Sequence, residues 1–339
     1  MGSQLKKIIV AVLLVAAALA GLGAWGWHEF RRSQSKKEQI SIGAIAYDKN
    51  ALIYIAEDQK YFAENGIEVT LKNFDTGSAA LEAMLAGKIG IAAASEFAVV
   101  GKSLRKPGDK FRIFATIAKT QDDYIFGRRD RGIGSFSDLK GKRVGLKKET
   151  AAEFYLGRFL DTKGLSLRQV TVVDIDPTQS VRQFAEGDLD AIVIWQPYAY
   201  RIRAGLADRI VSWSAQNGQL MYWNMIATDA WLSAHPELAT RVVRALVQAE
   251  HFLAQHPAQA RAIVQRWLGY DDACINAIWP DSQFSVSLDQ SLIVAMEDEA
   301  RWMIANGLTG EKDIPDYLDD YIHKNSLSTV RPEIVNIIR

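Results

Sequence analysis

The chain has very little cysteine and no excess of charge of either sign. Cys274 is the only cysteine among 339 residues, so an intramolecular disulfide and a cysteine-based metal cluster are both excluded. Lysine and arginine number 40, and aspartate and glutamate also number 40, which gives a formal charge of zero. A nucleic-acid-binding surface needs a basic excess, so we expect no nucleic-acid partner. The length favours about two domains, and 48% hydrophobic residues with nine tryptophans suffice for their cores.

The sequence also lacks the short motifs that mark many active sites. It contains no phosphate-binding P-loop, no Gly-x-Ser-x-Gly turn and no His-Glu-x-x-His zinc motif. His251 and His256 are five positions apart, which is the wrong spacing for one helical face, and Pro257 follows directly. We therefore predict no catalytic residue, no metal site and no cofactor.

One long uncharged run, Ile8–Trp27, stands near the N-terminus. It is long enough to cross a bilayer as a helix, and Trp25 and Trp27 at its end are typical of the membrane interface. Ala18-Leu19-Ala20 instead fits the cleavage site of a signal peptide. We expect export, with residues 8–27 either kept as a membrane tether or removed by cleavage after Ala20. A polar linker extends to residue 39.

One arrangement of residues occurs twice, roughly 100 positions apart. Gly187–Trp195 contains a glycine, a charged residue and the apolar strand Ala191–Ile194, and Gly87–Ala94 has the same order. Upstream, Val69–Asp75 corresponds to Val170–Asp176, and each precedes a predicted helix. A short, fully apolar strand suits a parallel sheet that is buried on both faces. The pattern predicts an α/β fold with two similar lobes; chance similarity of two ordinary βαβ units is the alternative.

The loops that follow such strands lie where open α/β sheets bind ligands. Thr76-Gly77-Ser78 and Thr150-Ala151 open predicted helices, whose free backbone N–H groups and hydroxyls can hold an anion. The same loops carry carboxylates, which favour a cationic or hydrogen-bond-donating partner. A zwitterion or an aminopyrimidine would satisfy both kinds of group. The candidate ligand-binding residues are Asp48, Thr76, Gly77, Ser78, Ser95, Glu96, Asp123, Thr150, Ala151, Trp195 and Gln196.

Most of these candidates also have an ordinary structural interpretation. The hydroxyls of Thr76, Ser78 and Thr150 can act only as helix caps. The carboxylates of Asp48 and Glu96 can form ion pairs with neighbouring basic residues. Trp195 can pack in the core without contacting a ligand. Tyr222 and Trp223 are expected to brace the connection between the lobes rather than to contact ligand.

Several stretches resemble a known family. They are Tyr61–Val69, Gly87–Ala92, Asp138–Gly145 and Gly187–Tyr198, together with the helices that begin near His235-Pro236-Glu237 and His256-Pro257. The family is that of the exported substrate-binding proteins of bacterial ABC importers for nitrate, aliphatic sulfonates, taurine and thiamine precursors. The resemblance covers about Ile40 to Thr309 and is specific for the fold rather than for the ligand.

This resemblance implies a two-lobed type II periplasmic-binding-protein fold with the ligand in a cleft between the lobes. Lobe 1 would consist of residues 40–127 and 228–325, and lobe 2 of residues 128–227. The chain would cross between them near Tyr124–Arg128 and Tyr222–Ala227, and the C-terminal helices would cover lobe 1. The resemblance also implies a monomer in the periplasm, either tethered to the inner membrane by residues 8–27 or soluble after cleavage. It would deliver a small organic solute, anionic or zwitterionic, to an ABC permease in the inner membrane.

Two other functions stay open. The family's thiamine-pyrimidine synthases share the fold, but they carry a cysteine-rich motif, whereas this chain has only Cys274 and an export segment. Binding of a thiamine-pyrimidine precursor without chemistry is compatible with the same cleft. The remaining alternative is a membrane-tethered sensor that binds a ligand and signals to a partner protein.

Overall fold

The computed structural model describes residues 37–106 and 108–337. The run Ile8–Trp27, with its predicted tether or cleavage site, lies outside these residues. Within the described ranges, no helix is both long and apolar enough to cross a membrane.

The strands are short and are distributed over two main sheets. In chain order they are β1 (Glu38–Ala44), β2 (Ile67–Asn73), β3 (Ile91–Ser95), β4 (Phe111–Thr120), β5 (Asp123–Arg128), β6 (Arg143–Leu146), β7 (Thr171–Asp174), β8 (Ala191–Trp195), β9 (Ile210–Ser214), β10 (Met221–Thr228), β11 (Ser282–Gln283), β12 (Leu288–Asp289) and β13 (Val335–Asn336). The first sheet has the order β11-β4-β10-β3-β1-β2 and the second the order β7-β6-β8-β5-β9, while β12 and β13 form a small separate pair.

Helices connect the strands and cover the sheets. In chain order they are α1 (Ala51–Asp58), α2 (Tyr61–Glu64), α3 (Gly77–Leu85), α4 (Glu96–Arg105), α5 (Ala151–Thr162), α6 (Pro177–Glu186), α7 (Tyr198–Leu206), α8 (Asp229–Ala234), α9 (Pro236–Gln255), α10 (Pro257–Leu268), α11 (Asp272–Ile278), α12 (Gln290–Ala305), α13 (Tyr317–Tyr321) and α14 (Asn325–Val330). The helix predicted from Ala51 to Asn65 is two helices, because Lys60 has a left-handed φ of 64°. α9 packs on α1 and α2, and α12 packs on α4, so C-terminal helices cover the first sheet's lobe.

Each sheet contains the same unit of three parallel strands. β1 lies between β2 and β3, and β6 lies between β7 and β8. Every residue of β3 and of β8 is buried, as expected for strands covered on both faces. Beside these units, β10 runs antiparallel to β3, and β5 runs antiparallel to β8. The α/β class and the duplicated pattern are confirmed.

Glycines extend the duplication to side-chain packing. A Cβ atom at Gly43 in β1 would lie 2.3 Å from Cδ1 of Ile89, and one at Gly145 in β6 would lie 2.5 Å from Cδ1 of Leu189. Ile89 and Leu189 occupy equivalent positions, each just before the third strand of its unit. Both lobes therefore close the same gap with an aliphatic side chain over a glycine.

The sheets place the crossings between lobes elsewhere than the sequence predicts. Asp123–Arg128 is β5 of the second sheet, and Met221–Thr228 is β10 of the first. The chain therefore crosses at residues 121–122 and 215–220, whereas the predicted boundaries put β5 in lobe 1 and most of β10 in lobe 2. Each segment pairs with its new sheet directly after the crossing, and an extended sequence pattern does not reveal which sheet a strand joins.

Candidate functional site

A cavity of about 40 Å³ lies between the two lobes. This volume is space for a few water molecules. Both lobes line the cavity: Ile45, Lys49, Thr76, Gly77, Met221 and Trp223 come from the first, and Asp123, Thr150, Ala151, Ala152 and Trp195 from the second. Several of them follow the carboxyl ends of parallel strands, which is where ligands of open α/β sheets are expected.

Two helix N-termini, one from each lobe, reach the cavity. Thr76 is the N-cap of α3, and its Oγ1 accepts a hydrogen bond of 3.1 Å from the N–H of Ala79. Thr150 is the N-cap of α5, but its hydroxyl donates to the carbonyl of Lys147 at 2.7 Å and caps no N–H of the helix. The first-turn N–H groups of Ala151 and Ala152 have no acceptor within the helix. Together with the helix dipole they favour an anion in the cavity.

Two tryptophans, Trp195 and Trp223, contribute to the apolar lining. Trp223 is held by a hydrogen bond of 2.8 Å from its Nε1 to Oδ1 of Asn50. Gly77 allows the start of α3 to approach this ring, since a Cβ atom there would lie 3.1 Å from Cη2 of Trp223. Trp195 ends β8 and is 6% exposed. Its Nε1 makes no hydrogen bond within the described residues. It lies near the hydroxyl of Tyr47. Burial raises the pKa of this hydroxyl, and Trp195 opposes that rise.

Two buried ionisable side chains, Lys49 and Asp123, line the cavity without forming an ion pair with each other. Nζ of Lys49 lies 2.8 Å from Oδ2 of Asp122, whose Oδ1 accepts a hydrogen bond of 2.7 Å from Thr120. Asp123 is 1% exposed, and its Oδ1 has no hydrogen-bond partner among residues 37–106 and 108–337. Burial and the neighbouring Asp122 raise the pKa of Asp123 to about 7. Burial lowers the pKa of Lys49, but the neighbouring carboxylates of Asp122, Asp123 and Asp48 together raise it by more.

Two further buried carboxylates lie behind the lining. Oδ2 of Asp48 accepts a hydrogen bond of 2.9 Å from Ser282, and Oε2 of Glu96 accepts one of 2.9 Å from the N–H of Tyr222. Burial, with a contribution from Asp122, raises the pKa of Asp48 to about 7, and burial raises the pKa of Glu96 to about 8. In the part of the chain that the structure describes, no cluster of His, Cys, Asp and Glu is arranged to hold a metal ion.

The candidates from the sequence separate into two groups. Those that line the cavity are Thr76, Gly77, Asp123, Thr150, Ala151 and Trp195. Asp48 and Glu96 are buried behind it, and Ser95 caps α4 through a hydrogen bond of 3.4 Å from the N–H of Ala98. The Oγ of Ser78 donates to the carbonyl of Glu149 at 3.3 Å near the surface. Gln196 donates from Nε2 to Asp281 at 2.9 Å and accepts at Oε1 from the N–H of Tyr200, so its amide is used within the protein.

Sequence reasoning missed Lys49, Met221 and Trp223. In the loop after β1 the sequence favours the carboxylate of Asp48, but the adjacent Lys49 lines the cavity. Trp223 was expected to brace the hinge, yet it lines the cavity. Met221 and Trp223 are two positions apart in β10, so the period of a strand places them on one face. This alternation along the strand is the sequence signal that places both side chains on one face of β10.

The fold and the cavity define a two-lobed α/β binding protein of the periplasmic type. Residues 49–260 match the family described as NMT1/THI5 like, and the chain belongs to this family.

Individual relatives agree with this assignment. The chain is 23% identical over 335 residues to a Bacillus subtilis protein assigned as binding aliphatic sulfonates, covering 95% of this chain and 97% of that protein. It is 23% identical over 208 residues to the taurine-binding periplasmic protein of Escherichia coli, covering 59% and 62%. The alkanesulfonate-binding protein SsuA from Xanthomonas axonopodis pv. citri, solved with MOPS, superposes with a TM-score of 0.72 at 21% identity over 83% of this chain and 97% of that one. The predicted α/β periplasmic-binding-protein fold is thereby confirmed.

Proposed function

We propose that this protein is the solute-binding component of an ABC importer and that it captures a small organic anion or zwitterion of the sulfonate class between its lobes. One observation carries the proposal: both lobes line a single cavity, and each contributes a helix N-terminus to it. The taurine- and sulfonate-binding relatives support the same class of solute.

The lining explains how an oxyanion would be held without an arginine. Backbone N–H groups at the starts of α3 and α5 donate hydrogen bonds, and the helix dipoles favour negative charge at that point. Trp195 and Trp223 cover the apolar part of the solute. Closure excludes water, and the lower local dielectric strengthens these interactions.

We infer that the solute passes to an ABC permease in the inner membrane and that the protein acts as a monomer in the periplasm. The tether by residues 8–27 and the cleavage after Ala20 predict different intact masses, which mass spectrometry of the membrane and soluble fractions distinguishes. Protease added to spheroplasts should digest the chain, and complete protection would contradict export.

We infer that the cavity performs no chemistry. Its lining contains neither cysteine nor histidine, and the ammonium group of Lys49 is engaged by Asp122. The unpaired carboxylate of Asp123 in the lining favours a second candidate, a binding protein for a thiamine-pyrimidine precursor. An aminopyrimidine would place its N–H edge against Asp123 and its ring against Trp195 or Trp223.

A thermal-shift panel tests the proposal. It contains ethanesulfonate, 2-aminoethanesulfonate, nitrate, a 4-aminopyrimidine and common amino acids. A solute that binds only the folded state stabilises it by about 2.7 kcal/mol at a hundredfold excess over Kd. We expect a sulfonate to raise the melting temperature and to reduce the radius of gyration in small-angle scattering. A panel in which only other classes bind would contradict the sulfonate assignment.

A further inference from the structure

Asp123 is fixed in the cavity wall by its backbone. Its N–H donates a hydrogen bond of 3.0 Å to Oε1 of Gln216, and its carbonyl accepts one of 3.0 Å from the N–H of Ala215. As the first residue of β5 it pairs directly with Trp195 of β8. The carboxylate therefore stands beside the Trp195 ring and cannot shift far to reach a partner elsewhere.

The surrounding protein compensates this carboxylate only in part: Lys49 opposes the rise of its pKa, but no side chain pairs with it directly in the described ranges. Lys49 is the one cationic side chain in the lining, and its ammonium lies 2.8 Å from Asp122. In the described ranges no ion pair involves Asp123, and its Oδ1 has no hydrogen-bond donor. Asp48 and Glu96 add further buried carboxylates nearby. A buried carboxylate without a direct ion pair or hydrogen-bond donor is unfavourable, so a donor group on the solute would stabilise it.

The same cavity has the opposite character at the start of α5. The first-turn N–H groups of Ala151 and Ala152 are donors without an acceptor in the helix, and Thr150 caps none of them. A donor side and an unpaired acceptor side thus face one small space. A solute with only an oxyanion would satisfy the first and leave the second uncompensated.

We propose that the solute carries a cationic or hydrogen-bond-donating nitrogen that pairs with Asp123, together with an acceptor for the N–H groups at the helix N-termini, either an oxyanion or a ring nitrogen. This rests on the proposed function and narrows it, because aliphatic sulfonates without nitrogen become poor ligands. Two sources share the chemistry: the ammonium group of a short aminoalkanesulfonate and the N–H edge of an aminopyrimidine. Asp123 is then the residue that determines specificity.

Two matched ligands test this on the unmodified protein. Ethanesulfonate and 2-aminoethanesulfonate differ by one amino group, and calorimetric titration gives both dissociation constants. We expect the amino compound to bind about 10- to 100-fold more tightly, as a charge-assisted hydrogen bond provides. A 4-aminopyrimidine forms the third arm and distinguishes the second source of the nitrogen.

Asp123→Asn removes the charge and keeps the shape. It should weaken binding of 2-aminoethanesulfonate and remove most of its advantage, while ethanesulfonate binds as well as before or better. Asp208→Asn is the control, since Asp208 is exposed and the change in charge is the same. Without solute, Asp123→Asn should melt no lower than the parent, because a structural role alone would lower the melting temperature.

The outcomes distinguish the role of Asp123 from the proposed function. Equal binding of the two sulfonates to the parent overturns the role of Asp123 and leaves the proposed function intact, even if Asp123→Asn fails to fold. Binding of the aminopyrimidine alone, lost in Asp123→Asn, supports the role of Asp123 and overturns the sulfonate class. No binding by any of the three probes overturns both.

Discussion

The hydroxyl of Tyr47 donates a hydrogen bond of 3.1 Å to the hydroxyl of Tyr198, and this bond joins the two lobes. Tyr47 follows β1 in the first lobe, and Tyr198 begins α7 in the second. Both side chains are buried, and their rings meet edge to face with centroids 6.0 Å apart. Separation of the lobes would break the bond. We predict that Tyr47→Phe or Tyr198→Phe destabilises the closed form by about 1 kcal/mol, which weakens solute binding about fivefold.

Calorimetric titration measures this effect. Because the two hydroxyls share one bond, the double variant should bind about as weakly as either single variant. Tyr61→Phe in α2, outside the cavity lining, is the control and should bind like the parent. Losses that simply add in the double variant would contradict a shared bond.

Trp302 of α12 lies directly on Gly157 of α5, at a second contact between the lobes. A Cβ atom at Gly157 would be 2.2 Å from Cζ2 of Trp302, and the Trp302 ring also meets Phe154 edge to face at a centroid distance of 5.4 Å. We predict that Gly157→Ala destabilises the protein by roughly 1–3 kcal/mol through overpacking. It should also weaken solute binding, since the added methyl group pushes α5 away from α12.

Gly205→Ala in α7 is the matched control. No atom lies within 4 Å of a Cβ atom built there, so the same substitution should stabilise its helix by about 0.5–1 kcal/mol. Urea denaturation measures both changes. If Gly157→Ala is as stable as Gly205→Ala, the contact with Trp302 does not constrain the lobes.

Buried carboxylates predict that the solute-free protein becomes less stable as pH rises. Burial is the main cause that raises the pKa of Asp48 and Asp123 to about 7 and the pKa of Glu96 to about 8. For the two aspartates, Asp122 adds to this rise and Lys49 opposes it. These values exceed those of the unfolded chain, about 4, so the folded state holds the protons more tightly. The resulting stabilisation is complete below about pH 4 and is lost as pH rises through 7 to 8. Between pH 5 and 8.5 we expect the melting temperature to fall by about 5 °C or more.

A substitution of Glu299 tests whether buried carboxylates cause the loss of stability at high pH. It is fully buried in α12, neither carboxylate oxygen has a partner within the described residues, and burial, then Glu96, raise its pKa. Glu299→Gln should raise the melting temperature at pH 8.5 more than at pH 5. The half-exposed Glu297 of the same helix is paired with Arg301, and Glu297→Gln should have little effect at either pH. A stability that rises with pH over this range would refute the account.

Local patterns predicted the parts of the fold and site that depend on them. The short apolar runs of β3 and β8 identify strands buried on both faces, and the loops after parallel strands place Thr76, Thr150 and Trp195 at the cavity. The hydroxyl of Thr76 also acts as a cap, as one interpretation held. These features need only chain order and the geometry of a parallel sheet.

The other features of the fold and the site depend on contacts between residues that are distant in the chain. Whether β5 and β10 join the first or the second sheet depends on partners far away in the chain, and this displaced both predicted crossings. The one-turn helix with Asp48 and Lys49 carries both charges, but only Lys49 reaches the cavity. Gln196 follows β8 as a site residue would, yet Asp281 from a distant turn engages its amide.

Trp195 provides the sharpest test of where the solute lies. Its ring borders the cavity at the end of β8, beside Asp123, and it is also 6% exposed, so it resembles a core residue by burial alone. We predict that Trp195→Ala weakens solute binding by roughly 1.5–3 kcal/mol through loss of apolar contact, about 10- to 100-fold in Kd. Trp213→Ala is the control, because Trp213 in β9 packs on Phe159 away from the cavity. It should lower the melting temperature and leave the dissociation constant unchanged. If Trp195→Ala behaves like Trp213→Ala, with parental binding and a lower melting temperature, the solute does not contact Trp195.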